Sequence, residues 1–484
     1  MKTILFFDKM PLSILYAKMS SFTERINCVH VAYSQKDAKI ISEYGIKPDY
    51  IYLDLFKKEY NNVILDDNVL ASVDHDIIEY TDGRFNLNGA IQSDRGFTLL
   101  TYEECLKSVV AHYRVWRSIF TEHHVDVLLH EPCSLFFNFI GCVLCKQQGG
   151  LYTYQVASFS DKYEFAYLNA NNDDFSYLEL KEKFSYYLSN PSMIDIGRCT
   201  SFLNSFREQQ NALLGDIFNR KVPFFKLVYN SMKQKLYAVL KADKSLRIYD
   251  NVSYWLSINN NPWNKVKNII GYKLNGVKFL REIPSGEKYF FYPFHLEPEA
   301  VVLYLGDGIY KNQTKLIENI AASLPAGYFL YVKDHPHEYA YRDAIDYKRL
   351  MSVPNIRLLD QRLSAKAIMK NAKGVVTING TAGFEALLLN KQVYCFGHNM
   401  YSFVSRVNYV KNIRDLRKEI FNHIDSNNED DNELMAYVMA YLESSHSGYL
   451  DCYSGGPLID NIDYEENARK LARDIESYTY TISL

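Results

Sequence analysis

The chain has little net charge, no long apolar run and no cysteine framework. Its 54 Lys and Arg stand against 57 Asp and Glu, a formal charge of −3 over 484 residues, and the pI is near 6.5. Bulk electrostatics therefore favour no nucleic-acid partner. The longest apolar stretch, Leu135 to Cys145, falls short of the roughly 20 residues a membrane-crossing helix needs. The N-terminal run Ile4–Phe7 breaks at Asp8 and Lys9, so no cleavable secretion signal is expected. Eight cysteines are scattered through apolar stretches, the habit of a reduced, cytoplasmic protein. Cys142 and Cys145 make one Cys-x-x-Cys inside a helix-like run with no second pair, which argues against metal or redox use. Internal repeats and low-complexity tails are absent too. Tyrosine is abundant, at 40 residues, and is read as half-buried structure rather than as a sugar-binding surface. What is left is a soluble or peripheral protein, long enough for two domains of about 200 residues each.

The most informative stretch runs from Gly327 to Gly397. Apolar runs of four to six residues alternate there with helix-period segments, the pattern of βα units on a parallel sheet. One strand ends at Lys333-Asp334-His335-Pro336, where Pro336 holds His335 in an extended turn. Another ends at Asn379-Gly380-Thr381-Ala382-Gly383 and opens into the helix Phe384–Asn390. Thr381 is expected to cap that helix, and Gly380 and Gly383 to let a ligand approach the backbone. A helix start offers free N–H groups and a positive dipole to an anion. Ligands of open α/β sheets sit beyond the carboxyl ends of strands. Each feature alone is an ordinary turn. Together, about 45 residues apart at two strand ends of one sheet, they suggest a nucleotide phosphate site.

Three segments carry a resemblance: Tyr292-Pro293-Phe294-His295-Leu296-Glu297-Pro298-Glu299-Ala300, Leu330-Tyr331-Val332-Lys333-Asp334-His335-Pro336, and Thr377-Ile378-Asn379-Gly380-Thr381-Ala382-Gly383-Phe384-Glu385-Ala386. In these the chain resembles the capsule polysaccharide synthesis family of bacterial glycosyltransferases, which includes β-Kdo transferases. The family usually has Glu where Asp334 stands and Ser where Gly380 stands. The resemblance covers about 290–400 and is diffuse before that. It implies two Rossmann-like domains facing across a cleft (the GT-B arrangement), a His-Pro motif and a CMP-activated sugar. It places donor binding at Lys333, Pro336, Asn379, Gly380, Thr381, Ala382, Gly383 and Glu385, with His295 and Glu299 beside them, and catalysis at His335.

Taken in order, residues 1–170 read as an N-terminal Rossmann-like acceptor domain. Thr3–Asp8, Cys28–Ser34, Ile51–Leu55, Val125–His130 and Leu151–Ala157 are strand-like, and 57–100 gives no clear order. Thr101 with Glu104 three residues on forms a capping box before a long amphipathic helix. Glu131 follows the strand 125–130 directly and is the first candidate for general base or nucleophile; Asp161 is the second. Asn171-Asn172-Asp173-Asp174 is read as a polar turn rather than a metal cluster.

Residues 171–289 read as a helical, basic connecting segment. Between Arg220 and Arg281 thirteen Lys and Arg face only Asp243 and Asp250. Lys226, Lys233 and Lys235 lie among apolar and aromatic residues there, as on a helix that packs with a solvated basic face, docks on anionic membrane or holds an anionic glycan. Residues 290–484 read as the C-terminal nucleotide-sugar-binding domain with closing helices, its first strand at Val301–Leu305.

The function expected is transfer of an acidic sugar such as Kdo from a CMP-sugar to a glycan or glycolipid in capsule or lipopolysaccharide synthesis. It would take place at the cytoplasmic side of the membrane, with no cofactor or metal. A UDP- or GDP-sugar transferase and a non-catalytic glycan-binding protein are the alternatives.

Overall fold

The computed structural model describes residues 1–10, 12–208, 229, 248, 262–335, 342–424, 431–450 and 462–481. Pro336, Lys226, Lys233 and Lys235, with most of the basic segment, lie outside these. The chain divides into two compact units. The first comprises Met1–Asn190, Ser245–Asn251 and Val438–Leu484, the second Pro191–Lys244 and Val252–Tyr437.

The first unit is built on β1 (Lys2–Asp8), β2 (Ile26–Ala32), β3 (Tyr50–Ile51), β4 (Val127–Leu129), β5 (Leu151–Ser158) and β6 (Ala166–Asn171). Ile4 to Phe7 are buried on both faces of β1, as a central strand of a parallel sheet requires. The parallel order is β3-β2-β1-β4-β5; β6 then returns antiparallel along β5. This is the 3-2-1-4-5 order of a Rossmann sheet, with its crevice where β1 and β4 diverge.

The second unit holds β7 (Lys288–Pro293), β8 (Tyr328–Lys333), β9 (Ile356–Leu359), β10 (Gly374–Thr377), β11 (Gln392–Cys395) and β12 (Val407–Tyr409). They run parallel in the order β9-β8-β7-β10-β11-β12, again Rossmann order, now 3-2-1-4-5-6. Both domains are therefore Rossmann-like, as expected.

Several boundaries differ from the sequence reading. The first strand of the second sheet is β7, not Val301–Leu305. In that later stretch the N–H groups of Leu303 and Leu305 bond back to the carbonyls of Glu299 (3.1 Å) and Ala300 (2.9 Å), a local turn that leaves nothing for a ladder. Ile51–Leu55 is strand only to Ile51; a helix Tyr52–Asn62 follows and buries Tyr52 and Phe56 one turn apart. Residues 57–100 carry the helices Asp67–Tyr80 and Leu87–Ser93, capped by the side chains of Asp66 and Asn86. Asp173 is buried and ion-paired with Arg84 and Lys146, so the acidic turn is a structural anchor.

The domain limits shift as well. Residues 438–484 belong with the first unit. The helix Tyr464–Thr481 inserts Ala468, Leu471, Ala472, Ile475 and Tyr478 into the same core as Ile4, Phe6, Leu12 and Tyr16. A further strand, β13 (His446–Ser447), pairs antiparallel with β6. The connecting segment is divided too: the helix Leu178–Ser189 lies in the first unit, and Ile196–Glu208 in the second. Among the described residues no helix is long and apolar enough to cross a membrane.

Candidate functional site

In the second sheet the strand order reverses between β7 and β10, and the ends of these strands carry the residues in question. Beyond β7 the chain presents His295; beyond β10 it presents Ile378 to Gly383. The two ends are locked together. The backbone N–H of Ile378 donates to His295 Nε2 at 3.0 Å, with Thr377 Oγ1 at 3.1 Å from the same nitrogen. Gln313 holds the His295 backbone from both sides, accepting its N–H at 2.8 Å and donating to its carbonyl at 3.0 Å. His295 is 7% exposed. Burial, reinforced by the charges of His335 and Arg342, pushes its imidazole down to about 3, so the ring is neutral at physiological pH. With Nε2 accepting, the ring proton resides on Nδ1.

Arg342, which the sequence reading did not single out, braces the other side. Buried beneath this loop, it donates to Glu297 (2.7 Å), Asp334 (3.3 Å) and the His295 carbonyl (3.1 Å), and lies 3.7 Å over the Phe294 ring. Asp334 also accepts from the Tyr347 hydroxyl. These bonds oppose the burial that raises its carboxyl. Glu297 accepts a further bond from Gln313 at 2.5 Å. Such a network fixes the two loops that flank the site. Only its spatial closure reveals Arg342, which in sequence is one arginine of many.

Lys333, the last residue of β8, is 5% exposed rather than facing solvent. Burial lowers its ammonium against the pull of Asp334, Asp360 and Glu385. Glu385 is 5% exposed and its Oε2 has no hydrogen-bond partner among the described residues. Burial pushes its carboxyl up to about 7, against the attraction of Lys366 and Lys333. Carboxyls shifted this far by burial are over-represented at functional sites. His335 is half-buried, its carbonyl held by Gln361 Nε2. Glu299 is also half-buried, its carbonyl taken by the N–H groups of Val302 and Leu303 at 3.1 Å each.

The helix after β10 runs Thr381–Leu388 and its N-cap is Gly380, not Thr381. Thr381 is the first helical residue and its side chain is exposed. The hydroxyl that serves this turn belongs to Thr377, which accepts the Gly380 N–H at 3.3 Å. The glycines also have reasons other than open access. A Cβ on Gly383 would collide with the Tyr401 hydroxyl, which donates to the Gly380 carbonyl at 2.6 Å. A Cβ on Gly380 would come within 2.6 Å of His295 Cε1 and 3.0 Å of Nδ1. Asn379 anchors the turn by donating to the Leu305 carbonyl at 2.7 Å, while its buried Oδ1 has no partner among the described residues. The structure thus brings His295, Lys333, Asn379, Gly380, Thr381, Ala382, Gly383 and Glu385 to one edge of one sheet.

In the first unit Glu131 follows β4, at the point where that sheet too reverses order. It forms an ion pair with Lys9, which follows β1. The Lys9 ammonium in turn sits 5.3 Å over the Phe137 ring and 5.6 Å over that of Tyr33. The Glu131 side chain is 29% exposed. Burial raises its carboxyl, but Lys9, His130 and Arg95 outweigh this and hold it below the usual range. Asp161 is exposed in the turn of the β5–β6 hairpin, away from any strand-end helix start.

No curated protein matches the chain. Similar solved structures include Thermosulfurimonas dismutans KpsC, beta Kdo 2,7 transferase, at 12% identity and TM-score 0.30, covering 75% of this chain and 89% of that one. A second is the S. aureus MnaA–UDP co-structure, at 12% identity and TM-score 0.27, covering 100% and 98%. A third is UDP-GlcNAc 2-epimerase from Methanocaldococcus jannaschii, at 11% identity and TM-score 0.25, covering 91% and 98%. The family model described as capsule polysaccharide biosynthesis protein matches residues 264–412, the stretch that contains β7 to β12 and both locked loops. The match to the capsule polysaccharide biosynthesis family model thus falls within the second Rossmann-like unit.

Proposed function

We propose that the chain is a glycosyltransferase of surface polysaccharide synthesis that takes an acidic sugar such as Kdo from a CMP donor. The observation that supports this best is the helix start at Gly380–Ala382, set at the reversal point of the second sheet with His295 beside it. It offers backbone N–H groups to one phosphate. The nearby cations have carboxylate neighbours already: Arg342 joins Glu297 and Asp334, and Lys333 lies within the field of Asp360 and Glu385. A nucleoside diphosphate would bring a second phosphate group to a site whose two nearby described cations, Arg342 and Lys333, already face carboxylates.

In this reading the helix start and His335 stabilise the leaving CMP phosphate; one preorganised donor of this kind is worth about 3 kcal/mol. Glu385 faces the ribose. Glu131, kept ionised by Lys9, is assigned to the acceptor as general base or nucleophile. The reaction belongs on the cytoplasmic side, where nucleotide sugars are made.

The test is a nucleotide series. CMP should raise the melting temperature more than UDP or GDP, since a ligand that binds only the native state adds RT ln(1 + [L]/Kd). A preference for UDP or GDP overturns the CMP assignment. Turnover of CMP-Kdo with acceptor separates a transferase from a glycan-binding protein.

A further inference from the structure

We infer that His295 is a phosphate contact of this site, a neutral hydrogen-bond donor of fixed tautomer, and that Gly380 lacks a side chain so that this donor can reach its ligand. The inference rests on the nucleotide reading above and adds a specific residue pair to it.

Three observations meet at this point. The Ile378 N–H donates to Nε2 at 3.0 Å, which leaves Nδ1 as the protonated nitrogen of a neutral ring. His295 is more than nine-tenths buried, and its ring hydrogen bonds to described residues all fall on Nε2, which leaves Nδ1–H as the donor beside the Gly380 turn. The ring edge bearing Nδ1 lies against Gly380, the N-cap of the helix Thr381–Leu388. A Cβ there would stand 2.6 Å from Cε1 and 3.0 Å from Nδ1. Gly380 has φ −76° and ψ 166°, a conformation open to any residue. The backbone therefore makes no demand for glycine, and the demand comes from the imidazole. One anion placed over the first turn would satisfy the helix N–H groups and Nδ1–H together.

A neutral donor suits this chemistry. It neither titrates near neutrality nor adds a charge that would favour a nucleoside diphosphate over a monophosphate. It is also held by four bonds that involve backbone groups, which preorganises it for binding.

Two substitutions separate donor from scaffold. In His295→Gln the longer amide can place its oxygen where Nε2 stands and still accept from Ile378, while the Nδ1 donor is lost. Gly380→Ala sets a methyl 2.6 Å from Cε1, to which the ring or the turn must yield, and covers Nδ1. Titration calorimetry on the full chain with CMP and with cytidine reads both. His295→Gln should weaken CMP about tenfold and leave cytidine unchanged, with the same CMP ratio to wild type at pH 5.5 and pH 8. Gly380→Ala should also weaken CMP, and the double variant should lose no more than either alone, since both act on one contact. Wild-type affinity for CMP in His295→Gln overturns the inference and leaves the nucleotide reading standing. A ratio that grows toward pH 5.5 overturns the neutral donor, and additive losses overturn the link to Gly380. A wild-type chain that binds no CMP removes both readings.

Discussion

Glu385 shows how a single buried carboxyl ties stability to pH. Its folded-state value of about 7 lies above the ordinary 4.5, so between these limits the folded chain binds more protons than the unfolded one. Stability contributed by the protonated form is complete below about pH 4.5 and is lost as pH rises toward 7. The size is on the order of 3 kcal/mol from the width of that interval. Glu385→Gln should therefore flatten the decline in melting temperature between pH 5 and pH 8; a decline of unchanged slope would place the titration elsewhere. Glu131 has the opposite sign. Lys9 does most to hold it low, so Lys9→Met removes the largest counterweight to burial and raises its carboxyl. If Glu131 acts ionised, the acid limb of the pH–rate profile moves to higher pH in that variant. His335→Ala, by contrast, should cut turnover by about a hundredfold or more with no change in fold, and full activity would make the His-Pro turn structural. Glu131 could be singled out from sequence because it directly follows a short apolar strand. Its partner Lys9 was not, because only the sheet brings the ends of β1 and β4 together.

Elements with strong local signals were legible. The Thr101–Glu104 capping box is formed as read, with Glu104 accepting the Thr101 N–H at 2.8 Å and Thr101 accepting in return at 3.3 Å. The strand read as stopping at Lys333 before the His-Pro turn ends there, and the one read as stopping at Asn379 ends two residues earlier, at Thr377. β7 was missed because Lys288–Pro293 ends in Pro and runs into the motif, while the apolar Val301–Leu305 imitates a strand. The glycine-rich turn was read correctly as a helix start and incorrectly in its details, since whether Thr377 or Thr381 serves the cap depends on backbone angles. Those details give contrasting expectations. Thr381→Val should alter stability by no more than about 0.5 kcal/mol, the range of exposed substitutions. Gly383→Ala must displace Tyr401 and should destabilise by about 1–3 kcal/mol, as overpacking does. Chemical denaturation of the two variants measures the difference, and equal losses would restore Thr381 as the cap.

At the scale of the whole chain the two units are unlike in construction. The second is nearly continuous, whereas the first is completed by residues that lie beyond the second in sequence. Leu471 sits fully buried in the first unit's core, so Leu471→Ala should cost about 2–5 kcal/mol there. Hydrogen exchange should report the loss in β1 and in the helix Leu12–Ser20, while CMP protection of 295–299 and 377–385 persists. Loss of exchange protection across the second sheet as well would mean that the units unfold together. The discontinuity has a consequence for biosynthesis. A ribosome adds roughly 5–20 residues per second, so about a quarter of a minute to a minute separates the emergence of Asn190 from that of the helix Tyr464–Thr481. Throughout that interval Ile4, Phe6, Leu12 and Tyr16 lack the apolar cover that this helix supplies. The first unit thus closes only after the second has been translated, and the burden of keeping it soluble in that interval falls on the cell's chaperones.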